Sequence, residues 1–433
     1  MQKDCGLVTG IIIGAALAAA LLPTEPAQAY TEKTLYSFCS VRPNCADGES
    51  SEGVVIGPSG NLFGVTTFGG KNNAGVVYEF APGTNQYNVL YKFCNKGNCT
   101  DGSQPVRVNL VIDTLGNLYG TASKGGSAHD AGVVFELVRT GSTYREKTLH
   151  AFCPRKNCVH DGFTPVNGLT YAGAASGQPY DGTSPLYGTT EFSETGGAVF
   201  SITPKTGGKK WTERVLYSFC SQPGCADGDD PDTPLYIDSQ GNIYGTTLFG
   251  GNSTNLGVAF ELSPLGTGYT ETVLYSFCAQ TNCADGAEPE GGVVMDSVGN
   301  LYGTTVSGGD GDQNSGQGVV FELSPDGSQW QYSNLANFDG SDGLYPESGL
   351  IIDANGNLFG TTVAGGTKQK GNVFEFNGSP QSLYSFCAEK GCADGAHPLS
   401  GVVEDSAGNL YGTTVENRGK GHHNGGTLFE LSP

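Results

Sequence analysis

The sequence predicts an all-β fold, a seven-bladed β-propeller built from four-stranded antiparallel blades. Three observations point to it. One unit recurs seven times along the chain. Each unit contains four short runs with the composition of β-strands, separated by turn residues. The chain also begins with the fourth run of a unit and ends with the third run of another, which is the phase that a closed ring requires.

The repeat is aligned on an aromatic residue that closes the fourth run, at Phe38, Phe93, Phe152, Phe219, Phe277, Phe338 and Phe386. A clear unit shows the fourth run at residues 273–277 and the first three at 292–295, 300–305 and 318–323. Asp-x-x-Gly-Asn and Ser-Pro-Asp-Gly turns separate the runs, because Asp bonds nearby backbone and Gly accepts positive φ. No segment outside residues 11–22 has the helical period, so we expect almost no helix.

Closure follows from the two ends of the chain. Residues 34–38 form an isolated fourth run, and residues 427–431 form a final third run. An open solenoid needs polar capping repeats at its ends, and none is visible. We therefore expect residues 34–38 to be the outer strand of the blade formed by residues 400–431, so that no sheet edge is left open.

Composition excludes several classes of protein. The 433 residues include 68 Gly and only 15% charged residues, with a net charge of −21. The excess of acidic residues repels phosphate groups, so we expect neither nucleic acid nor anionic lipid as a partner. The 21 Phe and 20 Tyr argue against a disordered chain. We expect a monomer.

The first 29 residues resemble an export signal. An apolar stretch at residues 11–22 is short for a membrane span, and Ala27-Gln28-Ala29 is a small-x-small cleavage pattern. The alternative is an uncleaved anchor. We expect a signal peptide at residues 1–29, one propeller domain at residues 30–433, no membrane span in the mature chain, and an extracellular or periplasmic location.

The cysteines support export. Of the 13 cysteines, Cys5 precedes the apolar stretch, and the other twelve form close pairs: Cys39 and Cys45, Cys94 and Cys99, Cys153 and Cys158, Cys220 and Cys225, Cys278 and Cys283, and Cys387 and Cys392. An even number in an exported chain predicts disulfides. The alternative is that two pairs converge on one metal ion, although their spacing is looser than zinc ribbons prefer.

The pattern LYSFCxxxxCxDG, followed by D..GNLYGTT..GG and G.VFELSP, resembles the GloVer tandem-repeat family of exported bacterial proteins. The GNLYGT segment is also similar to propeller repeats of two-component regulators. Two units depart from the pattern. The third replaces the Asp-x-x-Gly-Asn turn with a longer insertion, and the sixth lacks cysteines. The resemblance implies a propeller and export, and it supplies no catalytic residues.

An Asp-Gly pair follows each cysteine pair and survives in the unit without cysteines: Asp47, Asp101, Asp161, Asp227, Asp285, Asp342 and Asp394. Because each precedes an innermost strand, we expect these aspartates near one mouth of the central channel. Seven crowded carboxylates would attract a cation or an amine ligand. The alternative is that each forms an Asx turn with its own loop.

Two further groups are candidate sites. Asp310, Asp312 and Asn314 place oxygen atoms at alternate positions, as at the start of a calcium loop, but the glycine and the final glutamate of an EF-hand are missing. We expect no required cofactor, with calcium at these residues as the alternative. His422 and His423 are candidate ligand-binding residues in a glycine-rich loop, and their alternative is surface histidine.

Two functions compete on the face that carries the cysteine loops and the glycine-rich loops. Seven similar blades favour a binding or scaffold protein that presents this face to a glycan or protein ligand, because catalysis needs unlike residues in unlike roles. The alternative is a polysaccharide hydrolase or lyase on the same face. It requires carboxyl groups of different pKa at one place.

Overall fold

The computed structural model describes residues 30–153, 161–205, 210–309, 316–327, 329–417 and 425–433. In these residues the strands pair into seven antiparallel sheets that form a seven-bladed β-propeller, which confirms the predicted fold. The helical elements within these ranges are single 3-10 turns, at Lys71–Asn73, Gly97–Cys99, Ala174–Ser176, Pro223–Cys225 and Thr281–Cys283. None of the described helices has the length and apolarity needed to cross a membrane.

The strands run from the innermost to the outermost position of each blade. Blade 1 contains β2 (Glu49–Ile56), β3 (Leu62–Phe68), β4 (Val76–Ala81) and β5 (Gln86–Lys92). Blade 2 contains β6 (Val111–Ile112), β7 (Leu118–Ala122), β8 (Val133–Thr140) and β9 (Thr143–Ala151). Blade 3 contains β10 (Leu186–Thr190), β11 (Ala198–Pro204) and β12 (Trp211–Ser218). Blade 4 contains β13 (Tyr236–Ile237), β14 (Ile243–Thr247), β15 (Val258–Leu265) and β16 (Gly268–Ser276).

The remaining three blades follow the same order. Blade 5 contains β17 (Val293–Met295), β18 (Leu301–Thr305), β19 (Val319–Asp326) and β20 (Gln329–Asn337). Blade 6 contains β21 (Ile351–Ile352), β22 (Leu358–Thr362), β23 (Asn372–Phe376) and β24 (Pro380–Ser385). Blade 7 contains β25 (Val403–Glu404), β26 (Leu410–Thr414), β27 (Thr427–Ser432) and β1 (Thr31–Ser37).

The ring closes as the sequence predicts. Strand β1 pairs antiparallel with β27, in a register that sets Thr31 opposite Ser432 and Ser37 opposite Thr427. The first strand of the chain therefore completes the sheet built by the last three. A strand edge on β27 that would otherwise accept another chain is covered.

Local chemistry explains the repeated strand sequence. In blade 4, Gly245 of the Ile-Tyr-Gly-Thr-Thr strand lies opposite Phe260 on the next strand. A Cβ at Gly245 would stand 2.7 Å from the Phe260 ring, so only glycine fits beneath it. The preceding turn is held by Asp238, whose Oδ1 accepts the N–H groups of Gln240 and Asn242, each at 2.9 Å. This is the Asx geometry predicted for Asp-x-x-Gly-Asn.

Buried aromatic pairs join neighbouring blades. The phenylalanine that ends each outer strand packs against an aromatic residue of the next blade, with ring centroids about 5 Å apart in an arrangement that aromatic pairs prefer. The pairs are Phe38–Tyr78, Phe93–Phe135, Phe152–Phe200, Phe219–Phe260, Phe277–Phe321, Phe338–Phe374 and Phe386–Phe429. The phenylalanine on which the repeat is aligned thus packs each blade against the next.

Blade 3 is the irregular one. Its innermost strand is reduced to a bridge between Thr170 and Tyr187, because the insertion noted in the sequence occupies the chain between them. Asp181 organises the end of this insertion by accepting the N–H groups of Thr183 and Ser184, both at 2.7 Å. Tyr180, which is fully buried, bridges to Asp113 of the preceding blade. The insertion therefore packs against blade 2.

Candidate functional site

Cysteine loops and glycine-rich loops lie together on one side of the propeller, which we call the loop face. Gly70 N–H donates to the carbonyl of Cys45, and Gly251 N–H donates to that of Cys225, each at 2.9 Å. The structure contains the disulfides Cys39–Cys45, Cys94–Cys99, Cys220–Cys225, Cys278–Cys283 and Cys387–Cys392. These pairs are therefore oxidised bridges rather than metal ligands. The predicted sixth bridge joins Cys153 to Cys158, and Cys158 lies outside the described residues.

Five of the Asp-Gly aspartates cap their own cysteine loops. In Asp285, Oδ2 accepts the Tyr275 hydroxyl at 2.6 Å and the Ala279 N–H at 2.8 Å, and Oδ1 accepts the Gln280 N–H at 3.1 Å. The same three kinds of contact recur at Asp47, Asp101, Asp227 and Asp394. All five are at most 2% exposed. At these positions the contacts favour the Asx-turn interpretation over a ligand-binding ring.

The other sequence candidates are placed differently. Asp161 accepts the Cys153 N–H at 2.8 Å and contacts His150 instead of a tyrosine. Asp342, in the unit without cysteines, accepts the Asp339 N–H at 2.9 Å on the surface of its loop. The calcium candidates Asp310, Asp312 and Asn314 lie outside the described residues, as do His422 and His423.

A second ring of residues, which sequence reasoning missed, surrounds the mouth of the channel. Three positions after each Asp, on the segment that leads into the innermost strand or, in blade 1, near the start of that strand, the backbone has a positive φ between 53° and 59° although the residue is not glycine. We call these residues the mouth ring: Ser50, Gln104, Thr164, Asp230, Glu288, Tyr345 and His397. All seven side chains differ, while the surrounding loop is repeated.

Hydrogen bonds on both sides hold the left-handed conformation. The N–H of Glu288 donates to Leu256 of the preceding blade at 3.0 Å, and its carbonyl accepts the N–H of Val306 in its own blade at 3.0 Å. The N–H of every other mouth-ring residue likewise bonds to the preceding blade, and Ser50 bonds to Gly425 across the closure. Left-handed non-glycine residues are strained, by about 1–3 kcal/mol each, and such strain concentrates at functional sites.

Just inside the mouth ring, one arginine of blade 2 contacts four other blades. Arg107 lies on the segment that leads into the innermost strand of blade 2. Its guanidinium is nevertheless 3.1 Å from Glu290 of blade 5 and 3.2 Å from Glu347 of blade 6. Asp232 of blade 4 is 4.0 Å from it, and Glu52 of blade 1 accepts the Arg107 backbone N–H at 3.3 Å. We call these five residues the Arg107 cluster. Contacts with blades on opposite sides of the ring place the guanidinium on the channel axis, beside a cavity of about 150 Å³.

Carboxyl groups outnumber cations here, and burial favours the protonated form of several of them. Burial and the neighbouring Glu290 raise the pKa of Glu347 to about 7, against the lowering effect of Arg107. Burial raises the pKa of Asp232 to about 8, although Arg107 again opposes the change. In the mouth ring, burial and the nearby Glu191 raise the pKa of Asp230 to about 7. One oxygen of Asp230 is buried without a hydrogen-bond partner among the described residues.

These raised values predict a pH dependence of stability. The pKa values of Asp232, Asp230 and Glu347 are near 7–8 in the folded protein, against usual values of 3.8 for Asp and 4.5 for Glu. The native state therefore binds more protons than the unfolded state between about pH 4 and 8, so stability falls as pH rises through this range. We expect the melting temperature, measured by calorimetry, to decrease from pH 5 to pH 8. An increase over that interval would contradict these assignments.

A larger groove lies on the opposite face, with a volume of about 580 Å³. Trp330 and Tyr236 line it, and the blade 3 insertion contributes Ser176. Its two aspartates, Asp238 and Asp296, already accept hydrogen bonds from their own turns. The groove therefore has aromatic walls and few free charges, whereas the channel mouth gathers unlike charged groups.

Family comparison places the whole repeat array in one group. The family model described as the Gloeobacter/Verrucomicrobia repeat matches residues 22–221, 170–314 and 274–433. No protein of curated function matches the sequence.

Solved structures show distant likeness. A structure described as a putative 6-phosphogluconolactonase from Bacteroides uniformis is 13% identical, with 80% of this chain and 86% of that chain covered and a TM-score of 0.47. A protein of unknown function from Dyadobacter fermentans is 11% identical, with 93% and 99% covered and a TM-score of 0.46. A putative oxidoreductase (glucose dehydrogenase) from Thermus thermophilus is 14% identical, with 93% and 99% covered and a TM-score of 0.37. Likeness at this level carries no argument about activity.

Proposed function

This chain belongs to the Gloeobacter/Verrucomicrobia repeat family, and on that premise we propose that it is an exported binding protein. Its loop face binds a glycan that carries amino groups, at the mouth ring and the Arg107 cluster. The observation that carries the proposal is the mouth ring itself. Seven unlike side chains occupy one repeated, strained backbone position around one opening.

Chemistry at the opening selects the ligand class. Six carboxyl groups, those of Glu52, Asp230, Asp232, Glu288, Glu290 and Glu347, stand at the mouth ring and just inside it. The cations beside them are Arg107 and Lys370, whose ammonium group lies 3.0 Å from His397. An ammonium group on a ligand favours the ionised form of these carboxyl groups, so binding releases their protons and forms ion pairs. The hydroxyl and amide groups of Ser50, Gln104, Thr164 and Tyr345 can bond to sugar hydroxyls, as polar groups in ligand sites do.

Export is part of the same proposal. The five disulfides support an oxidising compartment, because such bridges persist outside the cytosol. The repeat pattern of the chain resembles that of exported bacterial proteins, which agrees with this location.

A matched pair of ligands tests the proposal. We expect a glucosamine hexamer to bind about tenfold more tightly than an N-acetylglucosamine hexamer, because acetylation converts each charged amine to a neutral, bulkier amide. Calorimetric titration at pH 6 measures both affinities. Glu288→Gln should weaken binding of the glucosamine hexamer about tenfold, since it removes a mouth-ring carboxylate that bonds Ser307 at 3.0 Å.

The matched control is Glu389→Gln, which removes an exposed carboxylate from a cysteine loop outside the mouth ring and should leave affinity unchanged. Equal binding of the two hexamers, or an equal effect of the two variants, would contradict the proposal. Tighter binding of hexalysine than of the glucosamine hexamer would shift the ligand class from glycan to protein.

One observation favours a second function, a polysaccharide hydrolase or lyase. Asp232 and Glu347 have pKa values near 8 and 7 and contact the same guanidinium, so both hold protons near neutral pH. A positioned, protonated carboxyl group is the general acid that glycoside cleavage requires. New reducing ends or unsaturated ends after incubation with polysaccharides, abolished by Glu347→Gln, would establish this function in place of binding alone.

A further inference from the structure

A cluster of three ligand-type side chains lies away from the channel, between the outer strands of blades 2 and 3. His150 is near the end of β9, Asp161 lies on the segment that leads into blade 3, and Glu213 is on β12. The His150 Nε2 and Asp161 Oδ1 atoms are 2.9 Å apart. One nitrogen and two carboxylate oxygens from the three residues all lie within 4.8 Å of one another.

The other blades show what this position normally holds. At five junctions a tyrosine hydroxyl donates to the aspartate, as Tyr275 does to Asp285 at 2.6 Å. The remaining four pairs are Tyr36 with Asp47, Tyr91 with Asp101, Tyr217 with Asp227, and Tyr384 with Asp394. At the blade 2–blade 3 junction His150 replaces the tyrosine. A hydroxyl donor is thereby exchanged for an imidazole, which binds metal ions.

The glutamate is unusual as well. In blade 2 the equivalent Glu146 is paired with Lys96. In blade 4 the equivalent Glu271 lies 3.5 Å from the Gln222 amide. The Oε1 atoms of Glu213 and Glu271 are both buried without a hydrogen-bond partner among the described residues. Glu213 differs in that its carboxyl group shares a hydrogen bond with that of Asp161. Burial and the neighbouring Asp161 raise the pKa of Glu213 to about 8.

Two carboxyl groups that face each other in a half-buried site need a shared proton or a cation. The imidazole beside them decides which cation is suitable. One nitrogen and two carboxylate oxygens form a donor set for zinc, which binds such ligands at ~2.0–2.2 Å. Small side-chain rotations bring ligand atoms within 4.8 Å of one another to that distance from one ion.

We propose that His150, Asp161 and Glu213 bind a divalent transition metal ion, with zinc as the preferred ion, and that this ion links the outer strands of blades 2 and 3. The site is separate from the mouth ring, so its existence does not depend on the proposed ligand. Water completes the coordination on the exposed side, since three protein ligands leave an open position.

His150→Tyr is the decisive variant. It restores the residue that five other junctions use, so the fold is expected to persist. We expect the wild-type protein, stripped with chelator, to take up one zinc ion per chain and to melt at a higher temperature when zinc is added. His150→Tyr and Glu213→Gln should bind zinc more than ~100-fold more weakly, because each loses a direct ligand.

Glu271→Gln serves as the matched control, because it changes the equivalent glutamate in blade 4, where Tyr217 occupies the position of His150. It should retain wild-type zinc affinity. Isothermal titration and metal analysis of the disulfide-bonded protein give the readouts. No zinc uptake by the wild-type protein would show that a proton or a cation of the chain neutralises the cluster. Undiminished uptake by His150→Tyr would place zinc elsewhere, and either result would overturn the proposal.

Discussion

Deletion of residues 30–37 will lower the free energy of unfolding by more than a single large-to-small core change does, that is by more than ~5 kcal/mol. The deletion removes β1, which pairs with β27 from Thr31 to Ser37. It also removes Leu35, which is 6% exposed, from the core. Loss of β1 leaves the edge of β27 open to solvent and to other chains.

The effect extends beyond blade 7. Tyr36 stacks on Tyr87 of blade 1 with ring centroids 3.8 Å apart. Phe38, which directly follows β1 and stays in the variant, packs against Tyr78 of the same blade and loses the strand that positions it. Strand β1 therefore completes one sheet and also contacts the next. Because the blades lie in a ring, the deletion weakens the contact between the first and last blades as well as the sheet of blade 7.

Thermal and urea unfolding measure this loss. The matched control is Lys33→Ala, which keeps β1 and removes only an exposed side chain 3.6 Å from Glu430. It should change stability by less than ~1 kcal/mol. Phe38→Ala, at a fully buried position, should cost ~3–5 kcal/mol. A deletion variant that melts at the wild-type temperature would contradict a role for closure in stability.

The parts of the fold that could be predicted are those whose chemistry is the same in every blade, because the same residues then recur in every unit of the sequence. The phenylalanine that ends each outer strand performs one task, contact with the next blade, so it recurs at Phe38, Phe277 and Phe386 and can be aligned. The Asp-x-x-Gly-Asn turn and the glycine beneath Phe260 are equally local requirements. Closure was predictable because it follows from the phase of the repeat alone.

The mouth ring was not predictable in the same way. Its backbone is repeated, but its side chains are not, so alignment shows only variation. Two tertiary hydrogen bonds impose the left-handed conformation on Glu288, and neither partner is adjacent in sequence. One signal was present: a proline follows the mouth-ring residue in six units, at Pro105, Pro165, Pro231, Pro289, Pro346 and Pro398. A proline favours an extended conformation in the residue before it, so this signal marks a restricted backbone position but does not predict the positive φ.

The Arg107 cluster escaped prediction for a different reason. Arg107 is separated from Glu290 by 183 residues and from Glu347 by 240. Such partners meet only because the chain closes into a ring. When the units are aligned, Arg107 falls next to the position that is acidic in four other units, at Glu52, Asp232, Glu290 and Glu347. In a ring-shaped fold the aligned positions of different units face the same axis, so this arginine can reach the acidic residues of the other blades.

Replacement of Arg107 by methionine will destabilise the protein by ~3–5 kcal/mol at pH 8. The guanidinium side chain is only 22% exposed and is the cation that faces Glu290, Glu347 and Asp232. Methionine keeps much of the apolar volume and removes the charge. At pH 8 the four carboxyl groups of the cluster must then either repel one another as carboxylates or take up protons, and an uncompensated buried charge costs far more than an exposed pair contributes.

The dependence on pH separates charge from packing. Without Arg107 the pKa values of Asp232 and Glu347, already near 8 and 7, will rise further, because the guanidinium lowers both. The native state of the variant then binds more protons than that of the wild type, so the loss of stability in the variant shrinks as pH falls from 8 to 5.

A second change, Glu347→Gln, should restore part of the lost stability at pH 8. Arg139→Met, at an exposed arginine, is the control and should be nearly neutral. A deficit that stays constant across this pH range would show that Arg107 acts through its packing alone, and the channel mouth would then lose its electrostatic role.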